Sequence, residues 1–322
     1  LADRIVSRET NKLNMENLSF CPVCGNKNFS PFLQSSDFFL TKEEFKIVRC
    51  ASCGLKFVNP RPDESEIGRY YKSSDYVSHG GKMNFLTFLY KTIRNSAIRK
   101  KYKIVKQHAR SKNMLDIGCG TGEFLDFCNK KGFEVKGIEP AEKPRSFAQT
   151  RYKLEVKEES YLEDIVNPEF DIITMWHVLE HVHLLNERMN KIMEILKSDG
   201  TIIIAVPNCD SWDARYYGKF WAAYDLPRHL YHFSGDTMKI LAQAHALKIE
   251  KIIPMKLDAF YISLLSEKYA KGNKNYFRAI INGIRSNNFA MKNDKNYSSL
   301  IFILKKGKIT ENNDLQSTMC TE

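Results

Sequence analysis

The sequence has no apolar run approaching the roughly 18–20 residues that cross a bilayer. Its longest are short and strand-like, at 201–206 (TIIIAV) and 300–304 (LIFIL). It has no apolar signal core near its start either, which predicts a cytoplasmic protein. No Gly-Lys-Ser/Thr follows a glycine loop, so a P-loop for nucleoside triphosphates is excluded. Cysteine is too sparse for a disulfide scaffold. Of eight in 322 residues, four form two Cys-x-x-Cys pairs and the rest are scattered. With 43% hydrophobic and 27% charged residues, the chain is neither disordered nor collagen-like. Acidic residues are in deficit, and the net charge of +11 admits an anionic partner: nucleic acid, phosphorylated metabolite or acidic membrane surface. The chain starts with Leu and Met15 follows soon after. Residues 1–14 are therefore read as a leader or disordered segment, and 311–322 as a flexible tail.

What is present begins with Cys21-Pro22-Val23-Cys24-Gly25 and Cys50-Ala51-Ser52-Cys53-Gly54. Two such turns supply four thiolates at tetrahedral geometry, which suits Zn²⁺ and leaves no open position for chemistry. Residues 15–60 thus read as a four-cysteine zinc-ribbon-like module with structural zinc on Cys21, Cys24, Cys50 and Cys53. Hairpin strands are expected near 29–40 and 45–49. A core this small needs the metal as a staple. Residues 61–110 read as a linker and a basic helix over 84–108. The stretch 77–115 holds ten Lys or Arg and no Asp or Glu. This face is either solvated and packed on the main domain, or a surface for anionic substrate, membrane or RNA.

At 113–124 an apolar strand runs into Asp116-Ile117-Gly118-Cys119-Gly120-Thr121-Gly122-Glu123. A helix follows, then a second strand ending at Glu139, placed to accept ribose hydroxyls. A dinucleotide loop would have its third glycine at 123, where Glu would repel a pyrophosphate. G-x-G-x-G preceded by Asp116 suits a cationic ligand with an amino group.

This segment resembles motif I of class I S-adenosylmethionine-dependent methyltransferases, D-x-G-x-G-x-G. Glu139 matches their ribose-binding acid. Phe170-Asp171-Ile172-Ile173 resembles their fourth strand. His177-Val178-Leu179-Glu180-His181-Val182 resembles the LEHV segment of the ubiquinone-biosynthesis-like subgroup. Leu196-Lys197-Ser198-Asp199-Gly200-Thr201 resembles the turn into their fifth strand, and Val206-Pro207-Asn208 its end. Pro227-Arg228-His229-Leu230-Tyr231-His232-Phe233 is similar to bacterial members with a four-cysteine module. The resemblance spans roughly 15–306. It implies S-adenosylmethionine as cofactor, held by Asp116, Gly118, Cys119, Gly120, Gly122, Glu139, Pro140, Leu162, Met175, Trp176 and His177.

The alternation of strand and helix from 113 on predicts an α/β fold with helices on both faces. Strands are expected at 113–117, 134–138, 154–157, 170–175, 201–206, 248–253 and 299–305. The family fold is a seven-stranded, doubly wound, Rossmann-like methyltransferase sheet with its last strand antiparallel. The methyltransferase domain is placed at 111–310. Two stretches, 209–233 (rich in aromatics) and 257–297, read as a cap and a lid over the site.

Catalytic candidates are His177, His181, His229 and His232, any of which could take a proton from an acceptor hydroxyl or carbon acid. Related quinone O-methyltransferases hold a divalent metal at matching acidic and His positions, but a Glu usually stands where this chain has His177. A second divalent metal is therefore left open, since Mg²⁺ prefers oxygen ligands. Tyr76, His79, Trp221 and Arg228 are substrate candidates, Arg228 through a carboxylate or phosphate. The expected activity is methyl transfer to oxygen or carbon of a small-molecule acceptor: a quinone, lipid, polyketide or cell-surface sugar precursor. The acceptor could be anionic or carrier-linked, with peripheral membrane contact. The alternatives are a zinc-module-assisted RNA methyltransferase, which lacks support from any N-P-P-Tyr-type motif after the fourth strand, and a non-catalytic zinc-ribbon adaptor.

Overall fold

The computed structural model describes residues 14–71, 85–293 and 295–307, with backbone alone for 85–93. The amino-terminal part is built from short strands: β1 (Met15–Glu16), β2 (Phe29–Ser36), β3 (Glu44–Cys50), β4 (Lys56–Val58) and β5 (Arg61–Pro62). Each Cys-x-x-Cys turn closes on itself, Gly25 N–H donating to Cys21 O (2.9 Å) and Gly54 N–H to Cys50 O (3.1 Å). Helix α1 (Phe85–His108) then leads to the large sheet.

That sheet holds β6 (Asn113–Ile117), β7 (Glu134–Ile138), β8 (Val156–Lys157), β9 (Phe170–Trp176), β10 (Leu196–Pro207), β12 (Leu247–Pro254) and β13 (Ser299–Lys306). Their order is β12-β13-β10-β9-β6-β7-β8, and β13 runs antiparallel to both neighbours. β9 and the end of β10 are buried on both faces, as the strands of a covered parallel sheet must be. This explains why they read as unbroken apolar runs. Helices α2 (Glu123–Lys130), α3 (Glu142–Tyr152), α4 (Tyr161–Asp164), α5 (Leu185–Ile195) and α7 (Gly235–Ala244) connect the strands. Helix α6 (Trp212–Tyr217) follows β10, and a hairpin of α8 (Asp258–Lys271) and α9 (Tyr276–Lys292) separates β12 from β13. The seven expected strands are all present, the short one at 154–157 trimmed to two residues.

Two features go beyond the sequence reading. The strands of the amino-terminal module are joined by one from far along the chain. The module's sheet, in the order β11-β4-β3-β2, takes β11 (Tyr231–His232) from the far end of the 209–233 stretch. Tyr231 pairs with Phe57 and His232 with Lys56. One apolar core runs from Cys21, Cys50, Leu55 and Phe57 through Leu230, Tyr231 and Phe233 to Ile117, Met175 and Leu179. Second, the aromatics of 209–233 are mostly core, not a cap. Tyr217, Trp221 and Tyr224 are buried in a cluster with Phe45, Ile47 and Tyr70 of the module side. They fill the seam between the two parts.

Candidate functional site

The glycine loop leaves β6 at Ile117 and enters α2 at Glu123. Gly118 N–H and Cys119 N–H both donate to Ile138 O, at 2.7 and 3.0 Å, which ties the loop to the end of β7. Gly118 has φ +71°, and a Cβ there would lie 2.4 Å from Val178 Cγ2. Only glycine fits, for conformation and space together. That contact seats the loop directly on the segment between His177 and Glu180. At Gly120 (φ +57°) a Cβ would meet nothing within 4 Å, so the loop's crest is open for a ligand.

Glu139, buried at the end of β7, accepts from Gly120 N–H (2.8 Å) and Ala141 N–H (2.9 Å). A carboxylate has about four acceptor sites, so two remain for ribose hydroxyls. Asp116 lies under the loop, 2% exposed, and accepts from the Thr174 hydroxyl. Burial lifts its pKa to about 7, opposed by Thr174 and by the Lys101 ammonium. Met175 is fully buried, Trp176 nearly so, and Leu162 packs in the main core. Pro140 is exposed beside Glu139, and its carbonyl accepts from Arg145.

Two residues at this site escaped the sequence reading. Lys101 belongs to the basic helix, yet its Nζ lies 4.6 Å from the Trp176 ring centroid and 5.7 Å from that of Phe124. Burial lowers its pKa, against the pull of Asp116 and Asp258. The second is Asp258, at the start of α8, whose Oδ2 stands 3.3 Å from His177 Nε2. Neither had a spacing signal: one was hidden in a run of cations and the other lay 81 residues from its partner.

The chain leaves β9 at His177 with φ +59° and forms a 3-10 turn over Leu179–His181. His177 Nδ1 lies 3.4 Å from Glu180 Oε1. Burial acts to lower the His177 pKa, but Asp258 and Glu180 outweigh it and raise it to about 9. His177 is thus a cation at neutral pH. Burial, then the neighbouring His229, push His181 down to about 4, so it is neutral. His181 Nδ1 stands 3.0 Å from the Arg228 carbonyl and 2.9 Å from the Tyr71 hydroxyl. The carbonyl can only accept, so Nδ1 carries the proton and Nε2 keeps its lone pair. His229 repeats this, with Nδ1 2.8 Å from Ala223 O, and its ring meets that of His181 edge-on at 4.6 Å.

Glu180 is 1% exposed, and neither carboxylate oxygen has a hydrogen-bond partner among the described residues. One ligand atom each from Glu180, His181 and His229 lie within 4.8 Å of one another. The sulfurs of Cys21, Cys24, Cys50 and Cys53 do the same, with Cys21–Cys53 and Cys24–Cys50 both at 3.5 Å. Four sulfurs at about 2.3 Å from one ion are about 3.8 Å apart, so this donor set fits zinc.

Other candidates stand elsewhere. Arg228 is not available to a substrate. It is 1% exposed, pairs with Asp225 at 2.7 Å and Asp37 at 2.9 Å, and donates to Tyr70 O. Trp221 is 2% exposed and its Nε1 donates to Asp213 (2.8 Å), so it too is committed to packing. His232 is buried in β11 with its ring edge-on to Tyr224 at 5.0 Å, out of reach of an acceptor. Tyr76 and His79 lie outside the described residues.

This strand order, with a glycine loop, an acid beneath it and an acid closing the next strand, is the arrangement of an S-adenosylmethionine-dependent methyltransferase. A family profile described as "Methyltransferase domain" matches residues 90–252, just over half of the 322 residues, and the chain belongs to that family. A methyltransferase-named protein of Geobacillus sp. strain WCH70 is 31% identical over 116 residues, 32% of this chain and 47% of that protein. The chain therefore spans less than half the length of that relative. The ubiquinone biosynthesis O-methyltransferase of Dechloromonas aromatica is 25% identical over 183 residues, 54% of this chain and 78% of that protein. Among solved structures, a SAM-dependent methyltransferase of Archaeoglobus fulgidus superposes with TM-score 0.48 at 20% identity, over 69% of this chain and all of that one.

Proposed function

We propose that this enzyme methylates an oxygen or carbon of a small-molecule acceptor, with His181 as the base. The observation that carries the reading is the contact of Gly118 with Val178. It puts the donor loop against a turn that presents one protonated and one neutral histidine. The donor, when bound, supplies a methyl group activated on a sulfonium. Everything else falls to the chain. Glu139 offers its free lone pairs to the ribose, and the open crest at Gly120 admits the donor's close approach. Asp116 lies beneath it, and a bound cation draws its carboxyl, with a pKa of about 7, toward the ionised form. The His181 Nε2 lone pair is oriented by the Arg228 carbonyl and takes the acceptor's proton as the methyl is transferred. His177, held between Glu180 and Asp258, keeps a positive charge beside the site and favours an acceptor with developing negative charge.

A second reading is favoured by Glu180, whose two buried oxygens have no hydrogen-bond partner among the described residues and only the His177 ion pair on Oε1. With His181 and His229 it makes a carboxylate and two imidazoles, a set that suits a divalent transition metal better than Mg²⁺. Both imidazoles have their tautomers fixed by backbone carbonyls, as metal-bound histidines do. Glu180, His181 and His229 would hold such an ion, which would supply Lewis acidity next to the acceptor in place of a free His181 base. The four-cysteine cluster carries structural zinc in either case.

The test follows the methyl group. Protein is incubated with methyl-labelled S-adenosylmethionine and host extract, then lipid, water-soluble and RNA fractions are counted. Label in the first two is expected, and label in RNA would overturn the acceptor class. His181→Gln should lower kcat by about 10²–10⁴-fold with donor binding intact. Metal analysis separates the readings: beyond zinc on the cysteines, a second bound ion whose removal abolishes turnover would favour the metal.

A further inference from the structure

The α8–α9 hairpin is built inside out. Helix α9 buries only Ala279, Asn282, Gly283, Ser286 and Ala290. Gly283 sits so close to α8 that a Cβ would come within 2.5 Å of the Phe260 ring. The large apolar side chains face the other way. Phe277 is 73% exposed, Ile280 53%, Ile284 46% and Met291 59%. Their spacings of three, four and seven place them on one stripe of the helix. Arg278, Arg285 and Lys292 recur every seven residues and form a row along one border of that stripe, all exposed. The helix has no acidic residue at all. An ordinary surface helix turns its large apolar residues inward, and exposed apolar stripes of this extent mark an interaction site.

We infer that this face of α9 docks on an anionic lipid bilayer. The row of three cations meets negatively charged headgroups, while Phe277, Ile280, Ile284 and Met291 enter the boundary of the acyl region. A second copy of the chain fits less well. An antiparallel twofold pairing of this stripe would bring the cation rows together in a protein already carrying +11. No described helix is long and apolar enough to cross a membrane, so the contact is peripheral. Its position gives it consequence. The same hairpin begins at Asp258, which faces His177, so a protein lying on α9 holds its site near the lipid surface, where an acceptor carried in the bilayer would reach it.

The inference goes beyond the methyl-transfer reading and is tested without turnover. The full chain is floated with vesicles of phosphatidylcholine alone, and with vesicles containing about one third phosphatidylglycerol. Binding to the anionic vesicles and little to the neutral ones is expected. In Arg278→Gln with Arg285→Gln, partitioning should fall about fivefold for each charge removed. In Ile280→Ser with Ile284→Ser it should fall at least as far. Lys248→Gln, an exposed cation on β12 away from the hairpin, should bind as the parent does. Donor binding, followed by calorimetry, reports that each variant is folded. Equal binding to both vesicle types, stripe variants that bind like the parent, or an equal loss in Lys248→Gln would each overturn the inference. So would a dimer in size-exclusion chromatography that the Ile280 and Ile284 substitutions dissolve, since that would assign the face to a second copy.

Discussion

At the scale of single residues, the site is set by charges in unusual places. Asp116 is a carboxyl with almost no water, and its pKa rises from an ordinary 3.8 to about 7. A carboxyl raised in the folded state favours the fold when protonated. That contribution is full below about pH 4 and is lost as pH rises through 7. Asp116→Asn should therefore make the donor-free protein more stable than the parent at pH 8, by an amount on the order of a few kcal/mol. At pH 5 the gain should shrink. It should also weaken donor binding by removing the charge under the loop. Urea unfolding at the two pH values checks this, and an equal difference at both would refute the assignment. His177 and His181 show that neighbours decide a histidine's role. They are four residues apart, yet one is a cation because Asp258 and Glu180 face it. The other is neutral because burial and His229 oppose its charge.

At the scale of elements, the Arg228 turn is the clasp of the molecule. Asp37, fully buried at the end of β2, accepts three backbone N–H groups from Phe39, Leu40 and Thr41. It then accepts Arg228 from a turn nearly two hundred residues away. The same turn gives its carbonyl to His181 and its next residues to the module's sheet. Removing one partner of a buried pair strands the other, which costs about 3–5 kcal/mol. Arg228→Ala should lose that much in chemical denaturation. Its donor-independent thermal midpoint should fall in step. A loss below about 1 kcal/mol would show the pair behaving like an exposed one. Substrate affinity measured on the folded fraction should be unchanged, since the guanidinium touches only protein.

At the scale of the whole molecule, the amino-terminal module and the large sheet share a strand, a core and a buried ion pair. Loss of the zinc proposed for the four cysteines should therefore be felt in the catalytic domain. We expect about one zinc per chain from the cysteine site. Stripping it with a strong chelator should lower the single calorimetric transition as a unit. Two separate transitions would mean that the shared strand and core do not couple the parts. Cys21→Ser should reproduce the effect of chelation without affecting any metal held by Glu180, His181 and His229.

Legible in the amino-acid sequence were the α/β class, the order and approximate positions of the strands, and the two cysteine turns. These follow from local rules: apolar runs bounded by glycine, and ligands spaced within one turn of chain. The sequence also pointed to Glu139 and the glycine loop, because both lie at strand ends. The remainder came from packing. It made Arg228 and Trp221 packing residues, because their partners Asp37 and Asp213 are buried polar groups that must be satisfied. It brought Lys101 over Trp176 and Asp258 to His177, contacts between residues 75 and 81 positions apart in the chain. It also showed that α9 faces its large apolar residues outward. The periodicity of a helix reveals that it has two faces, but only packing against a neighbour shows which of them is left to meet something else.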